Sequence, residues 1–176
     1  MDNFEALYNN HRKNPISPSP LPEDVYTISG NTDLLIANTC TLNCKNCGFL
    51  DFDFMGSENH EKTIPSMMTL QDVKKIVENL IDIKVGFAEL TLLGGEPTIN
   101  PQFVEIVDYL SKFKGQLYTI LRVITNGTNL KPHIVESFRK LDYVVLSLYP
   151  DTKSIIDKMK KSGLYEYFDN NLTFNI

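Results

Sequence analysis

Segments with strand character alternate along this chain with segments of helical periodicity. Apolar runs predict five strands, over residues 34–37, 87–93, 118–124, 143–148 and 172–176. Helical spacing predicts helices between them, over residues 70–81, 103–110, 134–141 and 154–161. Such alternation favours a parallel sheet with helices packed outside it, and right-handed crossovers curve the series toward a barrel or a doubly wound sheet. The chain is therefore predicted to adopt an α/β fold.

Three polar residues have predicted structural roles within these elements. Thr69 precedes the first helix with Asp72 three residues on, an arrangement typical of a capping box. Asn100, just before Pro101, is predicted to cap the second helix. Arg122 lies in an otherwise apolar strand, and it is expected either to pair with a core carboxylate such as Glu89 or to reach a ligand.

The amino-terminal stretch differs in composition from the rest. Four prolines fall close together, at positions 15, 18, 20 and 22, and favour extended or polyproline-like backbone. Residues 1–30 are therefore predicted to form an arm and residues 31–176 a single domain. The arm is expected to pack loosely on the domain, or else to form a clamp over a site or a partner.

Charge and hydropathy exclude several classes of partner. The formal net charge of −5 argues against a general nucleic-acid-binding protein, which needs a basic surface. No apolar run approaches the roughly 20 residues that span a bilayer, and the first residues lack the basic and apolar regions of a signal peptide. Clustered cysteines without an export signal indicate a metal or redox site, so we expect a cytoplasmic protein without membrane partners.

The only cysteines of the chain are Cys40, Cys44 and Cys47, spaced C-x3-C-x2-C directly after the first predicted strand. Three thiolates this close can hold one metal centre from three sides and leave a fourth position open. One possibility is a zinc ion whose fourth ligand is a nearby side chain, of which the sequence offers His60, Asp51 and Asp53. The other is a metal cluster with a ligand at the open position.

The run Gly94-Gly95-Glu96-Pro97 follows the second predicted strand. Two glycines allow the backbone to approach a ligand closely and expose its peptide groups. Glu96 offers an acceptor to a ligand ammonium group, and Pro97 stiffens the exit. The alternative is a tight strand-to-helix turn in which Glu96 is a solvated charge at the start of a helix.

Asn126 and Ser147 end the third and fourth predicted strands. Their side chains could form hydrogen bonds with a ribose or a carboxylate, although each type is also common in turns and caps. Active sites of parallel barrels lie at the carboxyl ends of the strands. Both residues are therefore predicted to share one face of the fold with the cysteines and the Gly-Gly-Glu-Pro run.

Together these motifs resemble the radical S-adenosylmethionine (SAM) superfamily. The Cys40-x3-Cys44-x2-Cys47 spacing is similar to its cluster motif, and the Gly-Gly-Glu-Pro run about 50 residues on is similar to its motif for the SAM amino group. Asn126 within Thr-Asn-Gly, and Ser147 on the fourth strand, also match positions that such enzymes carry. The order and spacing agree from about residue 33 to residue 176.

The resemblance implies a cofactor set and a reaction. The cysteines would hold a [4Fe–4S] cluster, and SAM would chelate its fourth iron. An electron donor such as flavodoxin or ferredoxin would drive reductive cleavage of SAM, and the 5′-deoxyadenosyl radical would take a hydrogen atom from a small-molecule, sugar or peptide substrate. The residues implied for SAM are Gly94, Gly95, Glu96 and Pro97 at the methionine ammonium, and Asn126 and Ser147 at the ribose or carboxylate.

The resemblance also implies a shortened core. Members of this family typically have six strand–helix units, whereas this sequence stops as a fifth strand begins. We therefore expect a parallel partial (β/α) barrel of about four to five units. A non-catalytic module that binds the cluster and SAM, or a subunit that needs a partner, is the alternative, since a second chain could complete the barrel at its open edge. No residue is predicted to act as a catalytic acid, base or radical relay.

Overall fold

The computed structural model describes residues 20–42, 44, 47, 66–147, 154, 157, 160, 161 and 172–175. Its strands are β1 (Tyr26–Ala37), β2 (Val85–Gly94), β3 (Tyr118–Thr125), β4 (Tyr143–Ser147) and β5 (Leu172–Asn175). The α-helices with described bounds are α1 (Leu70–Asp82), α2 (Phe103–Leu110) and α3 (Pro132–Phe138). Short 3₁₀ turns cover Pro97–Ile99 and Ser111–Phe113. Four residues in the region of the predicted fourth helix are also helical: Ser154, Asp157, Lys160 and Lys161.

The sheet follows the order of the chain, β1-β2-β3-β4-β5, and each neighbouring pair is parallel. Each strand is added beside the previous one, as in a (β/α) barrel, and the helices with described bounds occupy the connections. The predicted α/β class and partial parallel barrel are therefore confirmed. The strand ends that carry the sequence motifs all lie along one edge of this sheet.

The first strand is longer than its apolar run predicted. β1 begins at Tyr26 rather than at Leu34, and Tyr26 lies beside Val85 in register with β2. Its first half is exposed, as an edge strand allows, and it contains no continuous apolar run that would predict a buried strand. The boundary of the predicted arm, at residue 30, thus falls inside β1. Residues 1–19 lie outside the described residues, and the arm itself remains a prediction.

The hydrophobic core lies between the sheet and its helices. β2 and β3 contribute Leu92, Leu121 and Val123, and the rings of Phe103 and Phe138 meet edge to face at 6.1 Å between centroids. The core also buries Tyr118, whose hydroxyl donates to the carbonyl of Leu110 at 2.8 Å. Burial raises the pKa of Tyr118 well above its ordinary value. No helix among the described residues is long and apolar enough to cross a membrane.

The two predicted helix caps have different outcomes. The capping box at Thr69 is confirmed, and hydrogen bonds from Thr69 lower the pKa of Asp72. The prediction for Asn100 is met in part: Gln102 directly precedes α2, but Asn100 Oδ1 accepts from the backbone N–H of Gln102 at 2.8 Å and so caps the turn that leads into the helix. Asn100 also lies inside the fold, where its Nδ2 donates to the carbonyls of Ile36 at 2.7 Å and Met68 at 2.9 Å. It therefore ties the turn after β2 to β1 and to the segment before α1.

A polar cluster lies in the middle of the sheet, on β2 and β3. Arg122 Nη1 lies 2.5 Å from Glu89 Oε1, and Arg122 Nε donates to the hydroxyl of Thr91 at 2.8 Å. Thr91 donates in turn to Asn31 on β1. Of the two roles predicted for Arg122, the structure thus confirms pairing with Glu89. The Arg122 and Glu89 side chains are 24% and 26% exposed.

Candidate cofactor site at the carboxyl ends of the strands

Two glycines bring the end of β2 against the segment that leads to the first cysteine. A Cβ atom on Gly94 would overlap the carbonyl oxygen of Ala37, and one on Gly95 would overlap that of Thr39. The backbone N–H of Gly95 donates to Ala37 at 2.9 Å, and that of Glu96 donates to Thr39 at 2.8 Å. Small residues are therefore required here by contact between two parts of the chain. This requirement was not predicted, since the sequence indicated close approach to a ligand.

Glu96 is fully buried at this junction. Its Oε1 accepts hydrogen bonds from the backbone N–H of Thr98 at 3.1 Å, from the hydroxyl of Thr98 at 2.6 Å and from the hydroxyl of Thr125 at 2.7 Å. Its Oε2 accepts from the backbone N–H of Asn126 at 2.7 Å. Glu96 therefore joins the ends of β2 and β3, and the alternative that it is a solvated charge is wrong.

The donors around Glu96 suit a charged carboxylate. An ionised carboxylate only accepts hydrogen bonds, and it has about four lone-pair sites. Among the described residues, no lysine or arginine forms an ion pair with it. Oε1 has three donors and Oε2 has one, so Oε2 retains acceptor capacity with respect to the described residues. A ligand cation is the natural complement of such a group.

Asn126 connects the end of β3 to the cysteine segment. Its Nδ2 donates to Cys40 Sγ at 3.4 Å and to the hydroxyl of Thr41 at 3.1 Å. Its Oδ1 accepts from the backbone N–H of Thr128 at 2.9 Å and from the Thr128 hydroxyl at 2.7 Å. The side chain is buried, and these described contacts engage both ends of its carboxamide. Glu96, Asn126 and Cys40 thus form one continuous hydrogen-bonded network.

The three cysteines are free thiols of intermediate burial. Within the described part of the chain, no three Cys, His, Asp or Glu side chains lie close enough together to hold one metal ion. Residues 43, 45, 46 and 48–65 lie outside the described residues, and with them His60, Asp51 and Asp53, the ligands suggested for a zinc ion. The structure thus describes the three thiols but does not place them around one point.

Two further predicted residues lie at the same edge of the sheet. Pro97 is buried and begins the 3₁₀ turn after Glu96. Ser147 ends β4, pairs in register with Asn175 of β5 and is half-buried. The described hydrogen bonds of the Glu96 network involve the ends of β1, β2 and β3 and do not include Ser147. The roles predicted for Pro97 and Ser147 at SAM therefore remain predictions.

Sequence reasoning missed the threonines of this network. Thr98 and Thr125 donate their hydroxyls to Glu96. Thr41 and Thr128 share a 2.6 Å contact between their hydroxyls and also contact Asn126. A signal was present, because each threonine lies within two residues of Cys40, Glu96 or Asn126. Threonine is common at strand ends, however, and its hydroxyl does not reveal its partner.

The donor set fits the cofactors that the motifs imply. Cys40 Sγ accepts two N–H donors, from Leu42 at 3.4 Å and from Asn126. Such donors suit a sulfur that carries negative charge, as a cluster-bound thiolate does. The buried Glu96 likewise suits a ligand ammonium group. The sequence supplies two more thiols within seven residues, at Cys44 and Cys47.

The fold and the site define a class of protein. It is a parallel partial (β/α) barrel in which a cysteine-rich segment after the first strand is docked on a Gly-Gly-Glu-Pro turn after the second. The family model for the radical SAM superfamily matches residues 34–172. The chain therefore belongs to the radical SAM superfamily, a family defined by iron–sulfur and SAM binding.

Curated relatives and solved structures agree with this assignment. The mycofactocin maturase MftC of Mycobacterium tuberculosis (strain CDC 1551 / Oshkosh) is 24% identical over 156 residues, which are 84% of this chain and 36% of the relative. An S-adenosylmethionine-dependent nucleotide dehydratase of Flammeovirga pacifica is 31% identical over 127 residues, 69% of this chain and 40% of the relative. Streptococcus suis SuiB, in a crystal structure with bound S-adenosylmethionine, superposes with a TM-score of 0.56 at 20% identity.

The likeness to SuiB covers 99% of this chain and 38% of that protein, and at this identity it concerns the fold alone. A second crystal structure shows SuiB bound to the precursor peptide SuiA. This chain thus spans between about a third and two fifths of the length of these relatives. One of these relatives is a nucleotide dehydratase, and another binds a precursor peptide.

Proposed function

We propose that this chain binds a [4Fe–4S] cluster through Cys40, Cys44 and Cys47 and uses it to cleave SAM reductively. When bound, the cluster and SAM would supply one-electron cleavage of the SAM C5′–S bond, giving methionine and a 5′-deoxyadenosyl radical that takes a hydrogen atom from a substrate. The electron would come from a donor such as flavodoxin or ferredoxin. The protein's own residues hold, orient and shield these groups.

One observation carries the proposal, namely the docking of the Gly-Gly-Glu-Pro turn on the cysteine segment. Backbone hydrogen bonds from Gly95 and Glu96 to Ala37 and Thr39 hold the two motifs together. A zinc-binding loop has no need of this turn, because a structural zinc site is closed by its own four ligands. A cluster with an open iron requires a second binding element beside it, and the turn lies in the right place to provide one.

Glu96 and its neighbours would receive the methionine part of SAM. The carboxylate is buried and faced by hydroxyl and amide donors, an arrangement that a ligand ammonium would complement. The backbone of Gly94 and Gly95 lies beside it, and Pro97 shapes the exit from the turn. We propose further that Ser147 and Asn126 contact the ribose or the carboxylate of SAM.

The substrate is proposed only as a class. Because the named relatives act on or bind a nucleotide or a peptide, a small molecule or peptide is expected, and a sugar is the further alternative from the sequence. The free thiols of the cysteines fit a reducing compartment such as the cytoplasm.

A second candidate function is a module that binds the cluster and SAM without turnover on its own. This chain spans 36% of MftC and 38% of SuiB, so most of the length of these relatives has no counterpart among the residues considered for turnover. If the chain is such a module, a partner chain would complete the barrel and supply the substrate contacts. Binding would be retained by the isolated chain, whereas product would form only with the partner.

The proposal is tested by anaerobic reconstitution with iron and sulfide. We expect about four irons per chain, a brown protein, and a reduced-state electron paramagnetic resonance (EPR) signal that changes when SAM is added. Addition of dithionite and SAM is expected to give 5′-deoxyadenosine, measured by liquid chromatography. A colourless protein with about one zinc per chain would overturn the proposal.

Single variants serve as controls for the reconstitution. Cys40→Ala, Cys44→Ala and Cys47→Ala are each expected to lose most of the iron, whereas Thr27→Ala on the exposed part of β1 should keep it. Full iron content and SAM binding without 5′-deoxyadenosine would favour the second candidate function. Retention of iron by all three cysteine variants would contradict both candidates.

A further inference from the structure

The sulfur of Cys40 has a side-chain hydrogen-bond donor from Asn126, the residue that follows β3. Asn126 Nδ2 lies 3.4 Å from Cys40 Sγ, although the two residues are 86 positions apart in sequence. The backbone N–H of Leu42 also donates to this sulfur at 3.4 Å, but that contact arises within the cysteine segment. Among the described residues, Asn126 therefore provides the side-chain contact between the end of the sheet and this sulfur.

The orientation of the Asn126 carboxamide is determined by its other partners. The backbone N–H of Thr128 can only donate, so the atom that faces it must be Oδ1, and the atom that faces Cys40 must be Nδ2. The second Nδ2 hydrogen points to Thr41, whose hydroxyl contacts that of Thr128, which in turn donates to Oδ1. This closed ring of hydrogen bonds holds the donor toward the sulfur.

The backbone of Asn126 is held as firmly as its side chain. Its N–H donates to Glu96 Oε2 at 2.7 Å, and the preceding Thr125 donates its hydroxyl to Oε1 of the same carboxylate. Asn126 is 5% exposed, so water competes little for its donors. The Nδ2–Sγ contact is thus held in place by hydrogen bonds within the protein itself.

We propose that Asn126 is a positioning residue that raises the reduction potential of the cluster by donating an N–H···S hydrogen bond to Cys40. Reduction adds negative charge to the cluster and its thiolates, and a donor on the sulfur stabilises the reduced state more than the oxidised state. The donor thereby makes the cluster easier for a given electron donor to reduce. This inference rests on the proposed function. In it, Asn126 changes the reduction potential through its bond to the Cys40 sulfur, whether or not it also contacts SAM.

The test is an EPR-monitored redox titration of reconstituted full-length chain without SAM. Asn126→Ala removes the donor, and Asn126→Asp replaces it by an acceptor of nearly the same shape. Both are expected to keep the iron content and to shift the reduction potential to more negative values, with the larger shift for Asn126→Asp. Asn129→Ala is the matched control, because Asn129 lies in the same loop but donates to the carbonyl of Thr98. Its potential should equal that of the wild type.

A second measurement separates this role from a contact with SAM. If Asn126 acts only on the ribose or carboxylate of SAM, its variants would bind SAM more weakly while the SAM-free potential stays unchanged, and that result would overturn the inference. Should Asn126→Ala lose its iron, the uncharged variant Asn126→Leu, which is close to asparagine in size and has no donor, is measured in its place. Loss of iron in both would also overturn the inference, because the proposed bond modifies a cluster that the cysteines already hold.

The cluster signal of the wild-type protein separates a failure of the proposed function from a failure of the inference about Asn126. Wild-type protein without a four-iron signal contradicts the proposed function itself. Wild-type protein with a normal cluster, together with Asn126 variants of unchanged potential, contradicts only the role of Asn126.

Discussion

Two glutamates, in the middle of β2 and just beyond its carboxyl end, have their charges stabilised in different ways. Glu89 pairs with Arg122 at 2.5 Å, and both side chains are about a quarter exposed. Glu96 is fully buried and is faced by hydroxyls and amide N–H groups rather than by a described cation. A cation cancels a charge, whereas dipoles stabilise it without cancelling it. In the middle of the sheet, the charge of Glu89 is therefore balanced by Arg122. At the carboxyl end, the charge of Glu96 has no described cationic partner and can still attract a ligand cation.

We expect the largest difference between the two regions in the loss of stability when Glu96 or Glu89 is replaced by alanine. Glu96→Ala leaves several buried donors without an acceptor, and since each costs about 1–3 kcal/mol, we expect the free energy of unfolding to fall by about 4 kcal/mol. Glu89→Ala removes one partly exposed ion pair and should cost about 1 kcal/mol. Urea unfolding followed by circular dichroism measures both. Equal losses would show that the two regions do not differ as described.

Gly94→Ala tests the backbone contact at the carboxyl end. Its Cβ would meet the carbonyl of Ala37, which belongs to a paired strand and cannot move freely, so we expect a loss of about 3 kcal/mol and poor iron uptake. Gly115→Ala is the comparison, because a Cβ there meets open space and only the positive φ of 77° opposes it. That strain should cost about 1 kcal/mol and leave iron uptake intact. Similar iron contents in the two variants would contradict the docking argument.

Glu96→Gln and Glu89→Gln separate charge from shape. A charge-assisted hydrogen bond is worth about 1.5–3 kcal/mol, so loss of the Glu96 charge should weaken SAM binding by roughly 10- to 100-fold. Glu89 is already paired, and Glu89→Gln should leave SAM affinity within about twofold of the wild type. Isothermal titration calorimetry on the reconstituted proteins gives both values. Unchanged affinity in Glu96→Gln would remove Glu96 from the proposed ammonium site.

The smallest effect is expected at the Arg122–Glu89 pair. Arg122→Met leaves Glu89 unpaired but in contact with water, so we expect a loss of about 1 kcal/mol. The difference from the wild type should shrink in 1 M salt, where screening weakens the pair. The double variant Arg122→Met with Glu89→Gln should recover part of the loss, since it leaves no unpaired charge. A loss as large as that of Glu96→Ala would mean that Arg122 has a partner besides Glu89 and Thr91.

The fold was largely predictable because its signals are local. The carboxyl ends of β2, β3 and β4 lie within about one residue of the ends of their apolar runs, and the capping box at Thr69 was recognised from residues three positions apart. The first half of β1 was not predictable, since an exposed edge strand held by backbone pairing needs no apolar pattern. Asn100 caps the turn before α2 rather than α2 itself, and the partners of its Nδ2, 32 and 64 residues away, could not be predicted from neighbouring residues.

The location of the candidate site was predictable from the sequence, but the contacts made by its residues were predictable only in part. The spacing of Cys40, Cys44 and Cys47 and the Gly-Gly-Glu-Pro run placed it at the carboxyl ends of the strands, where the structure has these residues. The glycine requirement, by contrast, comes from the nearby backbone of Ala37 and Thr39, which residue types do not reveal. The burial of Glu96 was missed for the same reason, since a glutamate before a short helix is usually exposed.

By itself the sequence determined the order of strands and helices, the cysteine motif and the superfamily, because periodicity and motif spacing are properties of neighbouring residues. Only the tertiary structure decided what Glu96 and Asn126 contact. Their hydrogen bonds join residues 30 and 86 positions apart, and such pairs meet only after parallel strands are aligned in register. The packing of three strand ends thus turned separate motifs into one network around the sulfur of Cys40.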